Sequence, residues 1–99
     1  MTQFTEEILI IIKGIPYGKV MSYGQVARLA GNTRGARQVV RTLHSMTEKY
    51  NLPWHRIINS KGKISITDKR HAAIQRDLLI SEGVEVSEDG YVDISIYGI

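Results

Sequence analysis

The sequence predicts a mostly α-helical domain with a small β hairpin or wing, organised around a helix-turn-helix. Three observations lead to this fold class. Apolar residues recur at helical spacing in four segments, a short turn with Gly31 separates the second segment from the third, and two β-prone runs flank residues 59–62. Two helices joined by such a turn form the helix-turn-helix arrangement, and the flanked turn supplies the wing.

The first two helices are predicted from their caps and periodicity. The first, over residues 2–14, has an apolar face formed by Phe4, Ile8, Ile11 and Ile12. Ser22 and Gln25 fit a capping box, in which the serine accepts from the backbone at N3 and the glutamine reaches back to the cap amide. Gly31 is a natural residue for the left-handed position after the second helix.

The third helix, residues 34–45, divides into an apolar and a polar face. Its apolar arc contains Ala36, Val39, Val40 and Leu43. The opposite arc contains Arg34, Arg37, Gln38, Arg41 and Ser45. Asn32 or Thr33 is expected to cap this helix. A surface helix with solvated arginines would show the same pattern, but the preceding turn and capped helix favour a recognition helix that faces DNA.

The later elements are predicted from shorter patterns. Residues 46–52 form a polar connection, and residues 57–58 and 63–66 flank the turn as a hairpin. Thr67 or Asp68 caps a helix that ends near residue 81. The apolar side of that helix is expected to contain Ala72, Ile74, Leu78 and Leu79. Residues 84–99 suggest a short hairpin around residues 88–90, with no functional account.

Length and composition limit what the chain can be. Ninety-nine residues suffice for one core, so we expect a single domain over residues 1–99, acting as a monomer. No apolar run approaches the roughly 20 residues of a membrane span, so no membrane partner is expected. Glu6 and Glu7 stand where a signal peptide would be basic, which predicts a cytoplasmic protein.

The residue counts also bear on the partner. The chain has no cysteine and three histidines, so we expect neither a metal site nor another cofactor. Residues 1–63 hold ten Lys and Arg against three Asp and Glu, a net +7, whereas residues 64–99 hold three against seven, a net −4. This asymmetry is typical of a nucleic-acid-facing surface, although charged faces are more often merely solvated.

The most unusual chemistry is concentrated at Pro53-Trp54-His55-Arg56. Proline fixes its own φ and disfavours helix at the preceding residue, which predicts a rigid, non-helical corner. The only tryptophan stands there beside an imidazole and a guanidinium, a grouping suited to a flat polar ligand. A lone tryptophan in a small domain is, however, usually a core residue.

Three motifs in order resemble the DNA-binding domain of O6-alkylguanine-DNA alkyltransferases, to about residue 83. They are residues 15–27 (IPYGKVMSYGQVA), 36–39 (ARQV) and 53–56 (PWHR). In the transferases the last motif reads Pro-Cys-His-Arg, and its thiolate accepts the alkyl group from guanine. With Trp54 at that position, the chain resembles the alkyltransferase-like proteins. These proteins bind alkylated guanine in DNA, do not repair it, and are associated with nucleotide excision repair.

The resemblance implies a role for each candidate residue and two kinds of partner. The base pocket would contain Tyr23, which crowds the extruded nucleotide's phosphate, together with Leu43, Trp54, His55, Arg56, and Glu82 hydrogen-bonded to His55. The DNA-binding set would be Arg34, Arg37, Gln38 and Arg41, with Arg37 in the vacated stack. The partners would be double-stranded DNA containing O6-alkylguanine and excision-repair damage-recognition proteins.

Several alternatives stay open on sequence alone. Tyr23 could be a packed aromatic, Arg37 a phosphate contact, and Glu82 an exposed residue of a frayed helix end. Lys69 or Arg70 could border the pocket. An active transferase is opposed by the missing thiolate. A winged-helix transcriptional regulator without a lesion pocket and a domain that only holds other proteins on DNA are the further candidates.

Overall fold

The computed structural model describes all residues from 1 to 99 and is mostly helical, as predicted. Its elements in chain order are α1 (Gln3–Lys13), β1 (Met21–Ser22), α2 (Tyr23–Leu29), α3 (Ala36–Tyr50), a 3₁₀ turn (Trp54–Arg56), β2 (Ile57–Ile58), α4 (Lys69–Ser81) and α5 (Ile94–Tyr97). None of these helices combines the length and the apolar composition needed to cross a membrane.

The helices α1, α2 and α3 pack around the main core. Its buried side chains are Ile8, Leu9, Ile12, Ile15, Met21, Val26, Ala27, Val39, Leu52 and Ile57. Full burial of one large aliphatic side chain stabilises a fold by about 1.5–3 kcal/mol. The short connection from Gly31 to Gly35 sets α2 against α3, so the predicted helix-turn-helix forms around this core.

Local caps begin α1 and α2 as the sequence indicates. The Thr5 amide donates to Thr2 Oγ1 at 3.1 Å, and the Gln25 amide donates to Ser22 Oγ at 3.1 Å. Only half of the predicted capping box forms, because the Gln25 side chain donates instead to the backbone oxygen of Ile99 at 2.7 Å. This bond ties the start of α2 to the end of the chain.

The predicted boundaries of α3 are wrong at both ends. Its N-cap is Gly35, without a side-chain cap, while Asn32 Oδ1 accepts from the Arg34 amide in the preceding turn. The helix continues through the segment predicted as a polar connection and ends at Asn51, which is left-handed at φ 51°. The extension is stabilised because Met46 and Tyr50, one turn apart, both pack against the main core.

The inward face of α3 also differs from the prediction at one position. Val40 is 40% exposed, and Thr42 is buried in its place. The Thr42 hydroxyl donates to the Gln38 carbonyl oxygen at 2.8 Å, so its polar atom enters the interior with a partner. A periodicity that counts only apolar residues therefore predicts an inward face that is rotated by part of a turn from the observed one.

The structure differs from the predicted hairpin in the segment with which residues 57–58 pair. The turn at residues 59–62 forms, with the Asn59 amide donating to the Lys63 carbonyl at 3.0 Å. However, β2 pairs with β1, in parallel, with Met21 opposite Ile57 and Ser22 opposite Ile58. The sheet therefore joins the start of the helix-turn-helix to the segment after the Pro53 corner.

The helix α4 begins at its predicted cap, but its inward face is rotated. Asp68 Oδ1 accepts from the Arg70 amide at 2.9 Å. Gln75 and Leu79 are buried, whereas Ile74 and Leu78, predicted inside, are 43% and 37% exposed. A second core, formed by Val20, Ile58, Leu79, Val84 and Val92, lies between α4 and residues 84–99, which we call the tail.

The tail packs against the body of the domain. The predicted turn forms, since the Ser87 amide donates to the Tyr91 carbonyl at 2.9 Å, but Tyr91 then bridges Lys63. Gly62 has a φ of 85°, and a Cβ there would lie 2.6 Å from the Val92 carbonyl oxygen. This close approach requires glycine and fixes the turn on the tail.

Candidate nucleic-acid interface

The Pro53 corner forms a single 3₁₀ turn held at both ends by buried side chains. The Arg56 amide donates to the Pro53 carbonyl at 3.0 Å and closes the turn. Leu52 before it and Ile57 after it are buried in the main core. The corner therefore presents Trp54, His55 and Arg56 from a fixed backbone, but as a 3₁₀ turn and not the non-helical corner that the sequence predicted.

Glu82 is the electrostatic centre of the corner. His55 Nε2 lies 2.6 Å from Glu82 Oε2, so the predicted hydrogen bond between these residues is confirmed and direct. The Arg56 guanidinium donates to both carboxylate oxygens, at 3.0 Å from Nε and 2.8 Å from Nη2. The Gly18 amide adds a bond of 2.8 Å. Bidentate pairs of this kind fix orientation as well as contributing energy.

These bonds reverse the ordinary effect of burial on a carboxylate. The Glu82 side chain is only 6% exposed, and burial by itself raises the pKa. Hydrogen bonds from Arg56, Gly18 and His55 outweigh it, so the pKa of Glu82 falls from its ordinary 4.5 to about 2. Because Glu82 is ionised at neutral pH, its oxygen accepts and the His55 Nε2–H donates, which sets the orientation of the imidazole.

Gln75 is a second support of the corner that no sequence pattern indicated. Its side chain is buried in α4, and its Nε2 donates to the His55 carbonyl at 3.1 Å and the Ile57 carbonyl at 2.8 Å. These bonds pair backbone oxygens that the sharp turn leaves without a regular partner. A buried glutamine on a helix with a mixed face has no periodic signal, so only the tertiary contact shows it.

Trp54 is half-buried and lies outside both buried cores. Its ring meets His55 edge-on, with centroids 6.3 Å apart, and His71 at 6.5 Å. His71 Nδ1 lies 3.1 Å from Asp68 Oδ2 at the start of α4. Lys69 and Arg70 are the candidates that the sequence offers for the border of this region, yet His71 is the residue whose ring contacts Trp54.

The predicted pocket residues fall into two groups. Trp54, His55 and Arg56 line an open cleft of about 600 Å³, which Lys69 and Arg70 do not reach. Tyr23 and Leu43 lie outside this cleft and pack, partly buried, against the main core. Burial raises the pKa of the Tyr23 hydroxyl, while the Ser65 side chain acts in the opposite direction. Their joint contact with a base stays a prediction.

The predicted DNA-binding side chains form an unpaired basic surface. Arg34 is exposed in the turn before α3, and Arg37 and Arg41 are exposed along the first half of that helix. None of their guanidinium groups forms a hydrogen bond or an ion pair within the protein. Gln38 is half-buried beside them. Three unneutralised guanidiniums, two on α3 and one just before it, are suited to phosphate or base edges.

Fold and site together define a helix-turn-helix DNA-binding domain with a tryptophan-bearing corner opposite a buried glutamate. Comparison with known proteins specifies the family. Residues 3–84 match the DNA-binding domain of 6-O-methylguanine DNA methyltransferase. The chain therefore belongs to this family, and within it to the alkyltransferase-like proteins. The motif that carries the acceptor cysteine in the transferases holds Trp54, and the chain has no cysteine to serve as acceptor.

Three relatives illustrate the similarity. The DNA base-flipping protein of Escherichia coli K12 is 44% identical over 94 residues, covering 95% of this chain and 72% of its own. Alkyltransferase-like protein 1 of Schizosaccharomyces pombe is 40% identical over 87 residues, covering 87% and 81%. The crystal structure of S. pombe Atl1 in complex with damaged DNA containing O6-carboxymethylguanine has a TM-score of 0.85 at 36% identity, covering 100% and 96%.

Proposed function

We propose that the protein recognises O6-alkylguanine in double-stranded DNA, extrudes the damaged nucleotide and holds it without removing the alkyl group. The observation that carries this proposal is Trp54 at the acceptor position of an otherwise matching motif, in a chain without cysteine. Displacement at an alkyl carbon needs a strong nucleophile, which a thiolate supplies and an indole does not. The relatives named as base-flipping, and one crystallised on damaged DNA, support the same function.

The corner supplies the proposed base pocket. In a stacked duplex only the groove edges of guanine are accessible, so a protein that contacts the whole alkylated base must take it out of the stack. The Trp54 indole offers a face for stacking, which contributes about 1–3 kcal/mol per base. His55 and Arg56, held in fixed orientations by Glu82, form the floor of the pocket. Leu43 would add an apolar contact.

The remaining roles belong to the helix-turn-helix. Tyr23, at the first position of α2, crowds the phosphate of the extruded nucleotide and stabilises its rotation. Arg37 enters the vacated stack from α3, where its planar guanidinium replaces part of the lost stacking and pairing. Arg34, Gln38 and Arg41 hold the DNA backbone and set the register of the helix.

The cellular setting is part of the proposal. A monomeric single domain over residues 1–99 that binds a lesion without repairing it has to pass that lesion on. We infer that nucleotide excision repair receives it, in the cytoplasm of a cell whose DNA is exposed there. A double mutant lacking this protein and an excision-repair damage-recognition protein should be no more sensitive to alkylating agents than the excision-repair mutant alone. Additive sensitivity would separate the two pathways.

The direct experiment compares two duplexes that differ only in guanine or O6-methylguanine at one position. Equilibrium binding should favour the alkylated duplex, and mass spectrometry after prolonged incubation should find the methyl group still on the DNA. Loss of the methyl group would make the protein an enzyme. Equal affinity for both duplexes would favour a winged-helix regulator that reads normal sequence.

A further inference from the structure

A broad cleft begins at the Trp54 corner and extends beyond the residues that the proposed lesion recognition uses. The ends of α1, α3 and the corner form its walls, and α4 closes one side. Its lining residues, which we call the docking cleft, are Lys13, Tyr50, Asn51, Leu52, Pro53, Trp54, His55, Arg56 and Leu78. Its volume of about 600 Å³ falls within the roughly 300–1,000 Å³ typical of ligand clefts.

Lys13 lines the docking cleft, and Lys49, outside the lining, lies over the same lining residue, Tyr50. Lys13 Nζ lies 5.0 Å from the centroid of the Tyr50 ring, and Lys49 Nζ lies 5.3 Å from the same centroid. Neither ammonium group has a carboxylate within 4.0 Å, because the ion pairs of the chain involve only Glu82 and Asp68. Two cations that share one aromatic ring attract an anionic group from outside.

The α4 side of the docking cleft is apolar. Leu78 lines it and is 37% exposed, and Ile74, one turn earlier on α4 and outside the lining, is 43% exposed. Residues four apart lie on the same side of a helix, so the two side chains form a short apolar strip. Apolar side chains beside unpaired cations favour a ligand that carries both acidic and large apolar groups.

The position of the docking cleft distinguishes a protein ligand from DNA. At about 100° per residue, Tyr50 lies roughly 160° around α3 from the midpoint between Arg37 and Arg41. Tyr50 accordingly packs on the main core, while the arginines are exposed on the other side. With the arginine face on DNA, the end of the docking cleft that contains Lys13 and Tyr50 therefore lies on the far side of α3 from the duplex.

We propose that the docking cleft binds an acidic segment of a partner protein, with Phe, Trp or Leu side chains against Ile74 and Leu78 and carboxylates on Lys13 and Lys49. This inference rests on the proposed function in one respect, since it supplies the surface through which a lesion-bound protein is found. Because Trp54 and His55 line the docking cleft as well as the proposed base pocket, the partner would contact the side chains that hold the lesion.

The test begins with selection of a random twelve-residue peptide phage library on the full-length protein. Selected peptides should be enriched in Asp or Glu beside Phe, Trp or Leu. A fluorescein-labelled copy of the most enriched peptide should then lose at least fivefold in affinity with Lys13→Gln/Lys49→Gln, and about as much with Leu78→Ala. Absence of acidic enrichment would overturn the proposal.

Matched variants separate the docking cleft from general charge and helix effects. Lys19→Gln/Lys63→Gln removes the same net charge elsewhere, and Ile80→Ala removes an exposed side chain of α4 that does not line the cleft. Both should leave peptide affinity within twofold of the unmodified protein. Peptide binding that survives Lys13→Gln/Lys49→Gln, or that falls equally in the control variants, places the ligand elsewhere.

A final arm adds undamaged duplex. The peptide should remain bound, and Lys13→Gln/Lys49→Gln should weaken duplex binding no more than Lys19→Gln/Lys63→Gln does. Displacement of the peptide by the duplex would show that the docking cleft contacts DNA, which also overturns the proposal. The peptide measurements need no lesion, so loss of lesion preference with peptide binding intact would refute only the proposed function.

Discussion

The charged and polar groups of the corner converge on one side chain, the Glu82 carboxylate. A nearly buried carboxylate is costly unless donors replace its water, and here the Arg56 guanidinium, the Gly18 amide and His55 do so. Arg56 also donates to the Ile15 carbonyl at 2.8 Å, which joins this pair to the end of α1. The pair thus connects the corner, α4 and the loop before β1.

The lowered pKa of Glu82 predicts an acid-labile fold. A carboxylate with a folded pKa of about 2 and an ordinary unfolded pKa near 4.5 adds stability above pH 4.5. That stability is lost as the pH falls from about 5 towards 2, because the unfolded chain then binds the proton first. At 1.36 kcal/mol per unit, the loss is about 3 kcal/mol. Urea unfolding at stepwise pH measures it.

The variant Glu82→Gln isolates this residue from the other acids. It leaves the Arg56 charge without its partner, and breaking a buried pair in this way costs about 3–5 kcal/mol at pH 7. The difference from the unmodified protein should shrink as the pH approaches 3. Because hydrogen bonds also lower the pKa values of exposed Asp68 and Asp93, the comparison must be between the two pH profiles. If stability fell in parallel with pH in the unmodified protein and in Glu82→Gln, Glu82 would not be the cause of the acid lability.

Trp54 allows a test between a pocket role and a packing role. Its half-buried ring predicts that Trp54→Ala costs less stability than the roughly 3–5 kcal/mol typical of a buried aromatic. Preference for O6-methylguanine over guanine should fall about tenfold, while affinity for undamaged duplex changes little. Trp54→Phe keeps a stacking face and should retain part of the preference. Unfolding of Trp54→Ala with preference intact in the folded fraction would contradict the pocket role.

At the scale of elements, local sequence signals indicate where helices begin better than where they end. Thr2, Ser22 and Asp68 cap their helices through bonds within three residues, which a sequence displays directly. The end of α3 depends on Tyr50 packing against the main core, and β1 pairs with a segment far along the chain. These are tertiary effects, so neither periodicity nor turn chemistry could indicate them.

The candidate site divides in the same way. Trp54, His55, Arg56 and Glu82 were found through their unusual chemistry and the family motif, and the structure brings them together. Gln75 and His71 were missed, because their roles arise from where α4 packs. Leu78 was misassigned to the interior for that reason. A rotation of one residue in α4 decides which side chains face the corner.

The helix α3 is expected to carry two kinds of DNA contact. If Arg37 fills the gap left by an extruded nucleotide, Arg37→Ala should cost roughly 1–3 kcal/mol at lesion sites alone. Arg41→Ala, on the same exposed face, should weaken damaged and undamaged duplexes by similar factors. A fluorescent base analogue at the lesion reports extrusion. An unchanged signal with uniformly weaker binding in Arg37→Ala would make Arg37 a phosphate contact.

At the scale of the whole molecule, the charges are arranged so that one surface can meet DNA. The basic excess of residues 1–63 contrasts with the acidic excess of residues 64–99. Within the basic part, Arg34 just before α3 and Arg41 on α3 are exposed, whereas Lys13 and Lys49 meet at Tyr50 on the other side of that helix. Net charge alone therefore does not describe the DNA-binding surface.

This arrangement predicts how affinity depends on salt. Each phosphate contact releases counterions and adds about −0.9 to the slope of log K against log salt for duplex DNA. Affinity for alkylated and undamaged duplexes should fall together as salt rises, and Arg34→Gln/Arg41→Gln should reduce the slope by about 2 units. Lys13→Gln/Lys49→Gln removes the same charge from the far side of α3 and should leave the slope nearly unchanged. A flat salt dependence, or equal changes in both double variants, would show that the arginine face is not the surface that holds the phosphates.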